Sequence, residues 1–412
     1  MPTDELVSTA ELEALHAFVE ASRPTFLAEL ERLVNVDCGS YTKRGVDEVG
    51  RWTGASLEEL GATVQYLPDE RLGATVVGTF EGAGPGVRVL LIGHLDTVFE
   101  AGTAAARPFR IEDGRAHGPG VTDMKGGLLA GLHALAALRT LGGVGAEEAV
   151  ESAVWSPFER LVFIANPDEE IGSPTSTPHI RAAAAESDVA LVLECARANG
   201  DLVSARKGTL DLRLHVRGRA AHAGVEPEKG RSAALEAAHK TVALHELNGR
   251  WPGVTCNVGV LRSGTRPNVV ADEALLEVDL RALNRVDLEA AEAEVGRIAS
   301  TATVPETTCD IEVLGRHWPM ERLPAAARLV EHAAALAERL GFTVRDAVTG
   351  GASDANTTAG MGVPSLDGLG PVGGLDHSPG EYLEVDSIVP RVTLLAALLL
   401  AIARDPALRR AP

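Results

Sequence analysis

The chain has 412 residues, which is more than a single hydrophobic core usually supports and which suits two domains. Its 38 Lys and Arg against 58 Asp and Glu give a formal net charge of -20, so nucleic acid and anionic membrane surfaces would be repelled. We therefore expect no nucleic acid and no membrane as a partner. The expected partners are small molecules, metal cations or a second copy of the chain.

Cysteine usage favours a reducing compartment. The four cysteines lie far apart, with no C-x-x-C spacing, at Cys38, Cys195, Cys256 and Cys309. A disulfide framework or a thiolate metal site is therefore not expected, and the predicted location is cytoplasmic. The N-terminal residues have neither a basic start nor a continuous apolar stretch, so no secretory signal is expected.

The longest apolar run, Leu394 to Ala403, is about half of the roughly 20 residues that a membrane span needs. It predicts a C-terminal helix that packs on the core.

The first third of the chain alternates helices and strands. Ser8 to Glu11 fit a capping box that begins an amphipathic helix, and a second helix is predicted over 126–141. Short apolar runs rich in β-branched residues predict central strands covered on both faces, at 87–92, 161–165 and 189–193. These elements indicate an α/β layered domain. The segment from Gly142 to Glu159 has no clear period and is interpreted as a surface loop or a short extra helix.

The hydrophobic period changes near Gly208, where apolar and polar residues begin to alternate. The elements predicted after it are strand, helix, strand, strand, helix and strand, at 209–217, 230–247, 253–262, 273–282, 286–302 and 308–314. This order matches the split β-α-β-β-α-β unit and predicts a ferredoxin-like domain. The layered pattern returns past Pro319, with a helix at 323–341. We therefore predict an inserted domain, 207–319, within a discontinuous domain of 1–206 and 320–412.

Candidate metal ligands follow the apolar strands. His94 and Asp96 come after the first strand, Glu169 and Glu170 after the second, and Glu194 after the third. Open α/β sheets place their sites at such carboxyl ends. Asp123 follows a Gly-Pro-Gly turn, and His377 lies in a Gly-rich loop. Two imidazoles and three carboxylates could therefore converge.

Nitrogen and oxygen ligands without thiolate suit zinc, and also cobalt or manganese. We expect two Zn²⁺ per subunit, bridged by Asp123 and a water or hydroxide. His94 and Glu194 would complete one site, and His377 and Glu170 the other. Asp96 could accept the second N–H of the His94 imidazole and fix its tautomer. Glu169 is left to take a proton from water and to pass it to the leaving amine.

Each of these signals has an ordinary alternative. A His-x-Asp after a strand is usually a structural hydrogen bond, Asp-Glu-Glu is usually a solvated turn, and Asp123 alone could cap a helix. Glu194 is harder to dismiss, because a carboxylate after five apolar strand residues is costly to bury without a cation. The joint occurrence of all these residues in this order favours the metal site.

Several motifs, in this order and spacing, resemble the co-catalytic zinc metallopeptidases: GHLDTV, GPGVTDMKGG, ANPDEEIGS, LECA, AAHAG, RPNVV, GGASDA and LDHSPGEYL. That family includes glutamate carboxypeptidase, aminoacylase, acetylornithine deacetylase and succinyl-diaminopimelate desuccinylase. The likeness is strongest to bacterial glutamate carboxypeptidase, through Glu194 and the segments VDLRAL and TGGASDA. It implies a mixed-sheet catalytic domain interrupted by a ferredoxin-like lid that dimerises.

The resemblance also implies roles for lid residues. His222 would reach the partner subunit's site and stabilise the oxyanion, although it could be a surface turn histidine. Asn268 would bind substrate, although Pro-Asn is an ordinary turn. Arg281 would clamp the substrate carboxylate as an unpaired cation, with a cross-strand salt bridge as the alternative. Arg316 resembles a second substrate arginine, but His317 and Trp318 follow where the relative has proline. Gly351 would line the carboxylate pocket.

The expected function is a homodimeric zinc carboxypeptidase that releases a C-terminal amino acid, with glutamate as the first choice. An N-acyl-amino-acid deacylase acting on acetyl or succinyl substrates is the alternative, so the substrate is a small peptide or an N-acyl amino acid. A non-catalytic dimeric binding protein of the same fold would lack a ligand or Glu169, and none is missing. A single-metal aminopeptidase would need a site for a free amine, whereas Arg281 favours recognition of a carboxylate.

Overall fold

The structure is a computed structural model that describes residues 2–142 and 158–410. The segment from Gly142 to Glu159, for which the sequence predicts a loop or a short helix, therefore lies almost wholly outside the described residues.

Eleven α-helices occur among the described residues. They are α1 Thr3–Leu6, α2 Thr9–Val34, α3 Lys43–Glu59, α4 Thr103–Ala106, α5 Gly126–Gly142, α6 Thr177–Ala185, α7 Ala233–His245, α8 Arg285–Ser300, α9 Pro324–Arg339, α10 Asp354–Gly360 and α11 Ile388–Arg404. The predicted capping box is present, since Ser8 and Glu11 exchange hydrogen bonds at the start of α2.

The described residues also form sixteen strands. They are β1 Thr63–Leu67, β2 Thr75–Glu81, β3 Arg88–His94, β4 Arg110–Glu112, β5 Arg115–His117, β6 Arg160–Asn166, β7 Val189–Val192, β8 Leu202–Arg206, β9 Gly208–Arg217, β10 Thr255–Ser263, β11 Glu273–Ala282, β12 Thr308–His317, β13 Asp346–Thr349, β14 Ser365–Leu366, β15 Gly373–Gly374 and β16 Tyr382–Glu384.

The chain divides into two compact units. Unit 1 comprises Met1–Ser204, Arg322–Ala347 and Ser353–Pro412, and unit 2 comprises Ala205–Glu321 and Val348–Ala352. The sequence prediction assigned residues 348–352 to the catalytic domain, whereas in the structure they pack with unit 2. The reason is local hydrogen bonding. The Lys207 N–H donates to the Thr349 carbonyl at 3.0 Å, and the Arg206 side chain donates to the Gly351 carbonyl at 3.1 Å.

Unit 1 is built on a six-stranded mixed sheet with the order β1-β2-β6-β3-β7-β14. β3 is parallel to both β6 and β7, while β1, β2 and β6 pair antiparallel. The apolar runs on these central strands are buried, and Leu90, Leu91 and Ile92 of β3 are at most 1% exposed. The predicted mixed-sheet α/β fold is confirmed.

Helix α11 crosses the core of unit 1. It is longer than the predicted apolar run because Ile388, Val389 and Val392 extend its buried face. The segment Val385–Arg404 is long and apolar enough to span a membrane by length and composition, but 83% of its most apolar 18-residue window is buried within the fold. A core helix of a soluble protein has the same properties, as the sequence predicted for this helix.

Unit 2 contains a four-stranded antiparallel sheet with the order β10-β11-β9-β12, together with α7 and α8. The connection is β-α-β-β-α-β, so the predicted ferredoxin-like fold is confirmed. The alternating residues Leu210, Leu212, Leu214 and Val216 of β9 form its core. β12 continues to His317, three residues past the predicted end, because Gly315 to His317 keep pairing with β9 after a bulge.

Gly127 sets how closely α5 approaches the end of β7. A Cβ at this position would overlap the carbonyl oxygen of Leu193, the residue before Glu194. Gly127→Ala should therefore destabilise the protein by about 1–3 kcal/mol in chemical denaturation, because backbone has to move. Gly296→Ala in α8 is the control, since its Cβ would meet open space; it should be neutral or stabilising by up to about 1 kcal/mol. Equal effects in the two variants would contradict this account of Gly127.

Candidate metal centre

The carboxyl edge of the unit 1 sheet gathers most of the candidate ligands. His94 is the last residue of β3, Glu169 and Glu170 lie in a short 3-10 turn after β6, and Glu194 lies just past β7. Because β3 lies between β6 and β7 and is parallel to both, these residues emerge side by side.

Two turns supply the remaining ligands. Asp123 lies in the irregular turn Val121–Lys125 ahead of α5, rather than on the helix itself. His377 lies in the loop between β15 and β16 and has a positive φ of 60°. That left-handed backbone is unusual outside glycine, so surrounding contacts must stabilise it.

Asp123 lies between the two imidazoles. Its Oδ1 is 3.0 Å from His94 Nε2, and its Oδ2 is 3.1 Å from His377 Nε2. On the outer sides, His94 Nε2 is 3.8 Å from Glu194 Oε1 and His377 Nε2 is 3.0 Å from Glu170 Oε2. Each imidazole therefore faces one oxygen of the shared carboxylate and one glutamate.

Two overlapping sets of ligand atoms lie within 4.8 Å of one another: His94, Asp123 and Glu170, and His94, Glu169 and Glu194. These sets are not the ones that the sequence predicts, which pair His377 with Glu170. The shorter contacts of His377 to Asp123 and Glu170 nevertheless place it beside the first set.

The donor set fits divalent cations. Zinc binds nitrogen and oxygen ligands at about 2.0–2.2 Å, so two ligands on one tetrahedral ion lie about 3.3–3.6 Å apart. The four separations above span 3.0–3.8 Å. In addition, Glu170 Oε1 is buried and has no hydrogen-bond partner within the described part of the chain. A cation at this position would satisfy that oxygen.

Asp96 acts differently from the prediction. His94 Nδ1 lies 2.9 Å from the main-chain carbonyl of Asp96, closer than the 3.4 Å to its carboxylate. The carboxylate instead accepts the N–H groups of Glu169 at 3.1 Å and Glu170 at 3.2 Å, and the Ser40 hydroxyl at 2.6 Å. Asp96 therefore orients the imidazole through its backbone and the acidic turn through its side chain.

The protonation equilibria of the site reflect crowded negative charge. Burial and the charge of Glu194 raise the pKa of Glu169 well above its ordinary value. Hydrogen bonds to Asp123 and Glu170 raise the pKa of His377 to about 11. Burial lowers the pKa of His94, but its contacts with Asp123 and Asp96 outweigh this, and the net shift is upward. The site thus stabilises positive charge between its carboxylates, as a cation site does.

Unit 2 holds the other predicted residues. His222 and Asn268 are both exposed, and the structure brings them together there, because the Ala223 N–H donates to the Asn268 carbonyl at 3.0 Å. His222 Nδ1 accepts the Gly224 N–H at 3.1 Å, which makes a local turn.

The arginines of unit 2 are paired. Arg281 is not the unpaired cation that was expected, because it forms a salt bridge with Asp279 at 2.8 Å and donates to the Gly350 carbonyl at 2.8 Å. Arg316 lies within β12 and is held by Glu292 of α8 at 2.8 Å. The main-chain carbonyl of Gly351 accepts a hydrogen bond from the Arg206 side chain.

Sequence reasoning missed two buried carboxylates of unit 1. Asp354 accepts hydrogen bonds from Asn166 and Ser173, on either side of the Glu169–Glu170 turn. Glu381 accepts backbone N–H groups from the Asp123 turn. Both lie inside motifs that carry the family resemblance, GGASDA and LDHSPGEYL. The sequence could have indicated them only as acidic residues of these motifs that had no assigned role.

The fold and this site define a class of hydrolase. Residues 90–401 match the model of peptidase family M20/M25/M40, and the chain belongs to that family. The family contains metal-dependent peptidases and amidohydrolases, so the protein is an enzyme of this kind.

Individual relatives differ in the activity that they are named for. Carboxypeptidase G2 of Pseudomonas sp. (strain RS-16) is 29% identical over 383 residues, which cover 92% of this chain and 89% of that protein. Acetylornithine deacetylase of Edwardsiella ictaluri (strain 93-146) is 27% identical over 368 residues, which cover 83% of this chain and 88% of that protein. The crystal structure of aminopeptidase PepT from Bacillus cereus ATCC 10987 has a TM-score of 0.74 at 24% identity, covering 92% of this chain and 99% of that one. The last likeness concerns the fold alone.

Proposed function

We propose that this enzyme is a metallocarboxypeptidase that hydrolyses the amide bond to a C-terminal amino acid, with glutamate as the first candidate. The observation that carries the proposal is the arrangement of two imidazoles around the Asp123 carboxylate, each with its own glutamate. The similarity to carboxypeptidase G2 over 92% of the chain supports this choice among family activities.

In this proposal, two ions are held in unit 1, zinc first and cobalt or manganese as alternatives. His94, Asp123 and Glu194 would hold one ion, and His377, Asp123 and Glu170 would hold the other. Bound there, the ions supply Lewis-acid polarisation of the scissile carbonyl.

Glu169 is the general base and then the general acid. Its carboxylate takes a proton from the attacking water and delivers it to the leaving amine. Without metal, burial and the neighbouring Glu194 raise the pKa of Glu169 above its ordinary value. Asp96 keeps Glu169 in place through the backbone N–H that it accepts.

Residues of unit 2 complete the proposed mechanism. His222, supplied by a second copy of the chain, donates to the developing oxyanion, and Asn268 beside it contacts the substrate. Arg281 binds the carboxylate of the released amino acid, and Gly351 is proposed to lie beside it. Arg316 is left out of this proposed site, because it is paired with Leu210 in register and is held by Glu292 of α8 on the other face of the sheet. Asp279 and the Gly350 carbonyl hold the Arg281 guanidinium in a fixed orientation, which supports a recognition role.

Arg281→Gln should lower kcat/KM for carboxylate substrates roughly 10- to 100-fold, because a charge-assisted hydrogen bond contributes about 1.5–3 kcal/mol. Steady-state kinetics measure this effect, with Arg213→Gln as the control, since Arg213 pairs with Glu277 and Glu312 on the same sheet. The wild-type enzyme should hydrolyse a substrate with an amidated C-terminus with a kcat/KM that is lower by the same factor. With that substrate, the Arg281→Gln substitution should cause no further loss of kcat/KM. If the substitution and the amidation each reduced kcat/KM and their effects multiplied, direct recognition of the carboxylate by Arg281 would be contradicted.

We also propose a homodimer joined through unit 2. β10 is an edge strand of its sheet and exposes Leu261. α7, which packs on β10, exposes Leu235 and Val242. Exposed apolar groups beside an open strand edge favour pairing with another copy. Analytical ultracentrifugation should give twice the chain mass, and a monomer at all concentrations would contradict the proposal.

A cytoplasmic location is proposed from the cysteines. All four are free thiols in the structure. Cell fractionation should recover the enzyme with the cytoplasmic extract, and recovery from an oxidising compartment would contradict this.

The second candidate activity is N-acyl-amino-acid deacylation. It is favoured by the similarity to acetylornithine deacetylase over 83% of the chain, and the same residues would carry it. A panel of dipeptides and of acetyl and succinyl amino acids, assayed for free amino acid with and without chelator, distinguishes the two. Chelator-sensitive release of C-terminal glutamate supports the carboxypeptidase, while preference for acetyl or succinyl substrates would select the deacylase. No release from any substrate would contradict both.

A further inference from the structure

Glu381 is a buried carboxylate outside the predicted site. It immediately precedes β16 and is 1% exposed. Its Oε1 accepts the N–H groups of Thr122 at 2.9 Å and Asp123 at 3.1 Å, and its Oε2 accepts the N–H of Gly120 at 2.9 Å. A single side chain therefore binds three backbone groups within four consecutive residues.

These hydrogen bonds determine the shape of the Asp123 turn. A buried carboxylate is stable only when its oxygens are well paired, and three N–H dipoles offset much of the cost of removing it from water. Because both oxygens are used, the turn cannot shift relative to Glu381 without breaking at least one of these bonds. Asp123 is the last residue so held, and its own carboxylate lies 3.0–3.1 Å from the two imidazoles.

The opposite side of the turn is held by a buried cation. Lys125 is 1% exposed, and its Nζ donates to the carbonyls of Pro119 and Val36 at 3.1 Å each. Glu381 thus binds N–H groups of this segment while Lys125 binds a carbonyl. Packing leaves little room beside the turn, since a Cβ at Gly373 would overlap the Thr122 hydroxyl.

The loop that carries Glu381 also carries His377. The Glu381 N–H donates to the Ser378 carbonyl at 3.2 Å, one residue beyond His377. Glu381 therefore connects the turn of Asp123 with the loop of His377.

We propose that Glu381 is a positioning residue that places Asp123 to bind both metal ions. This inference rests on the proposed function, in which Asp123 is the shared ligand. Glu381 does not touch the substrate, and its contribution is expected in metal affinity and in kcat rather than in KM. Partners of metal ligands typically contribute 10- to 100-fold in metal affinity.

Glu381→Gln tests the proposal with little change in shape. If the remaining oxygen still accepts the N–H groups of Thr122 and Asp123, the new amide N–H₂ group faces the Gly120 N–H. Two donors then oppose each other where wild type has a hydrogen bond. Zinc titration of the metal-free protein in a chelator buffer should give an affinity 10- to 100-fold below wild type. Glu384→Gln is the matched control, because Glu384 lies three residues further along, in β16, and pairs with Arg115 at the surface; it should bind zinc like wild type.

The outcomes separate this inference from the proposed function. If wild type binds no zinc, the proposed metal centre is wrong. If wild type and Glu381→Gln bind zinc equally, the positioning role is wrong while the centre stands. Should Glu381→Gln fail to fold, hydrogen exchange of metal-free wild type decides. Slow exchange at Gly120, Thr122 and Asp123 is expected, and exchange at the unprotected rate would overturn the role of Glu381.

Discussion

A Glu169→Gln variant is expected to bind metal like wild type and to lose nearly all hydrolysis. The substitution keeps the size of the side chain but removes the group that accepts and returns a proton. General acid–base catalysis contributes about 10²–10⁴-fold, and kcat should fall within that range. KM should change little, because the substrate contacts proposed here come from other residues. Metal analysis and steady-state kinetics on the same preparation measure both quantities.

The control for Glu169 is a glutamate with an ordinary environment. Glu186 lies at the end of α6 and forms a surface ion pair with Arg160, so Glu186→Gln should retain wild-type rates. If Glu169→Gln kept wild-type kcat with metal bound, another base would have to be sought. If it lost its metal, Glu169 would be a ligand, in agreement with its place beside His94 and Glu194.

An Asp123→Asn variant should lose both metal binding and activity. Asp123 supplies one oxygen toward each imidazole, so the neutral amide removes the negative charge shared by both proposed ions. Metal stabilises the transition state by several kcal/mol, and kcat/KM should fall by about 10³-fold or more. Metal content should drop from two ions per chain to one or none.

Asp113→Asn is the matched control for Asp123. Asp113 is exposed in the turn between β4 and β5 with a φ of 50°, a conformation that asparagine tolerates well. It should keep full metal content and activity. A fully loaded and active Asp123→Asn enzyme would refute the bridging role and, with it, the basis for placing Glu381 behind that residue.

The elements that could be predicted from the sequence are those with one dominant pattern. Apolar runs identified β3, β6 and β7, and the alternation after Gly208 identified β9 and the ferredoxin-like unit. Because parallel strands end at one edge, the sequence alone was enough to expect His94, Glu170 and Glu194 together. The position of His377 beside these residues could not be predicted from hydrophobic periodicity, because its loop has no regular pattern of apolar residues.

Other features depend on tertiary contacts that leave no local signal. His94 Nδ1 lies 2.9 Å from the main-chain carbonyl of Asp96 and 3.4 Å from its carboxylate, which also accepts the N–H groups of Glu169 and Glu170. Arg281 pairs with Asp279, two residues earlier on the same face of β11, which alternation alone allows but does not require. The return of residues 348–352 to unit 2 depends on hydrogen bonds from Arg206 and Lys207.

The central claim is that the carboxylate and imidazole cluster of unit 1 is a two-metal hydrolytic centre. Its most direct test is a titration of the metal-free enzyme with zinc, in which release of amino acid from an N-acyl glutamate or glutamyl dipeptide substrate is measured at each addition. We expect no release without metal, and a rise that reaches its plateau at two equivalents per chain. Full hydrolysis by the metal-free protein in the presence of chelator would contradict the claim.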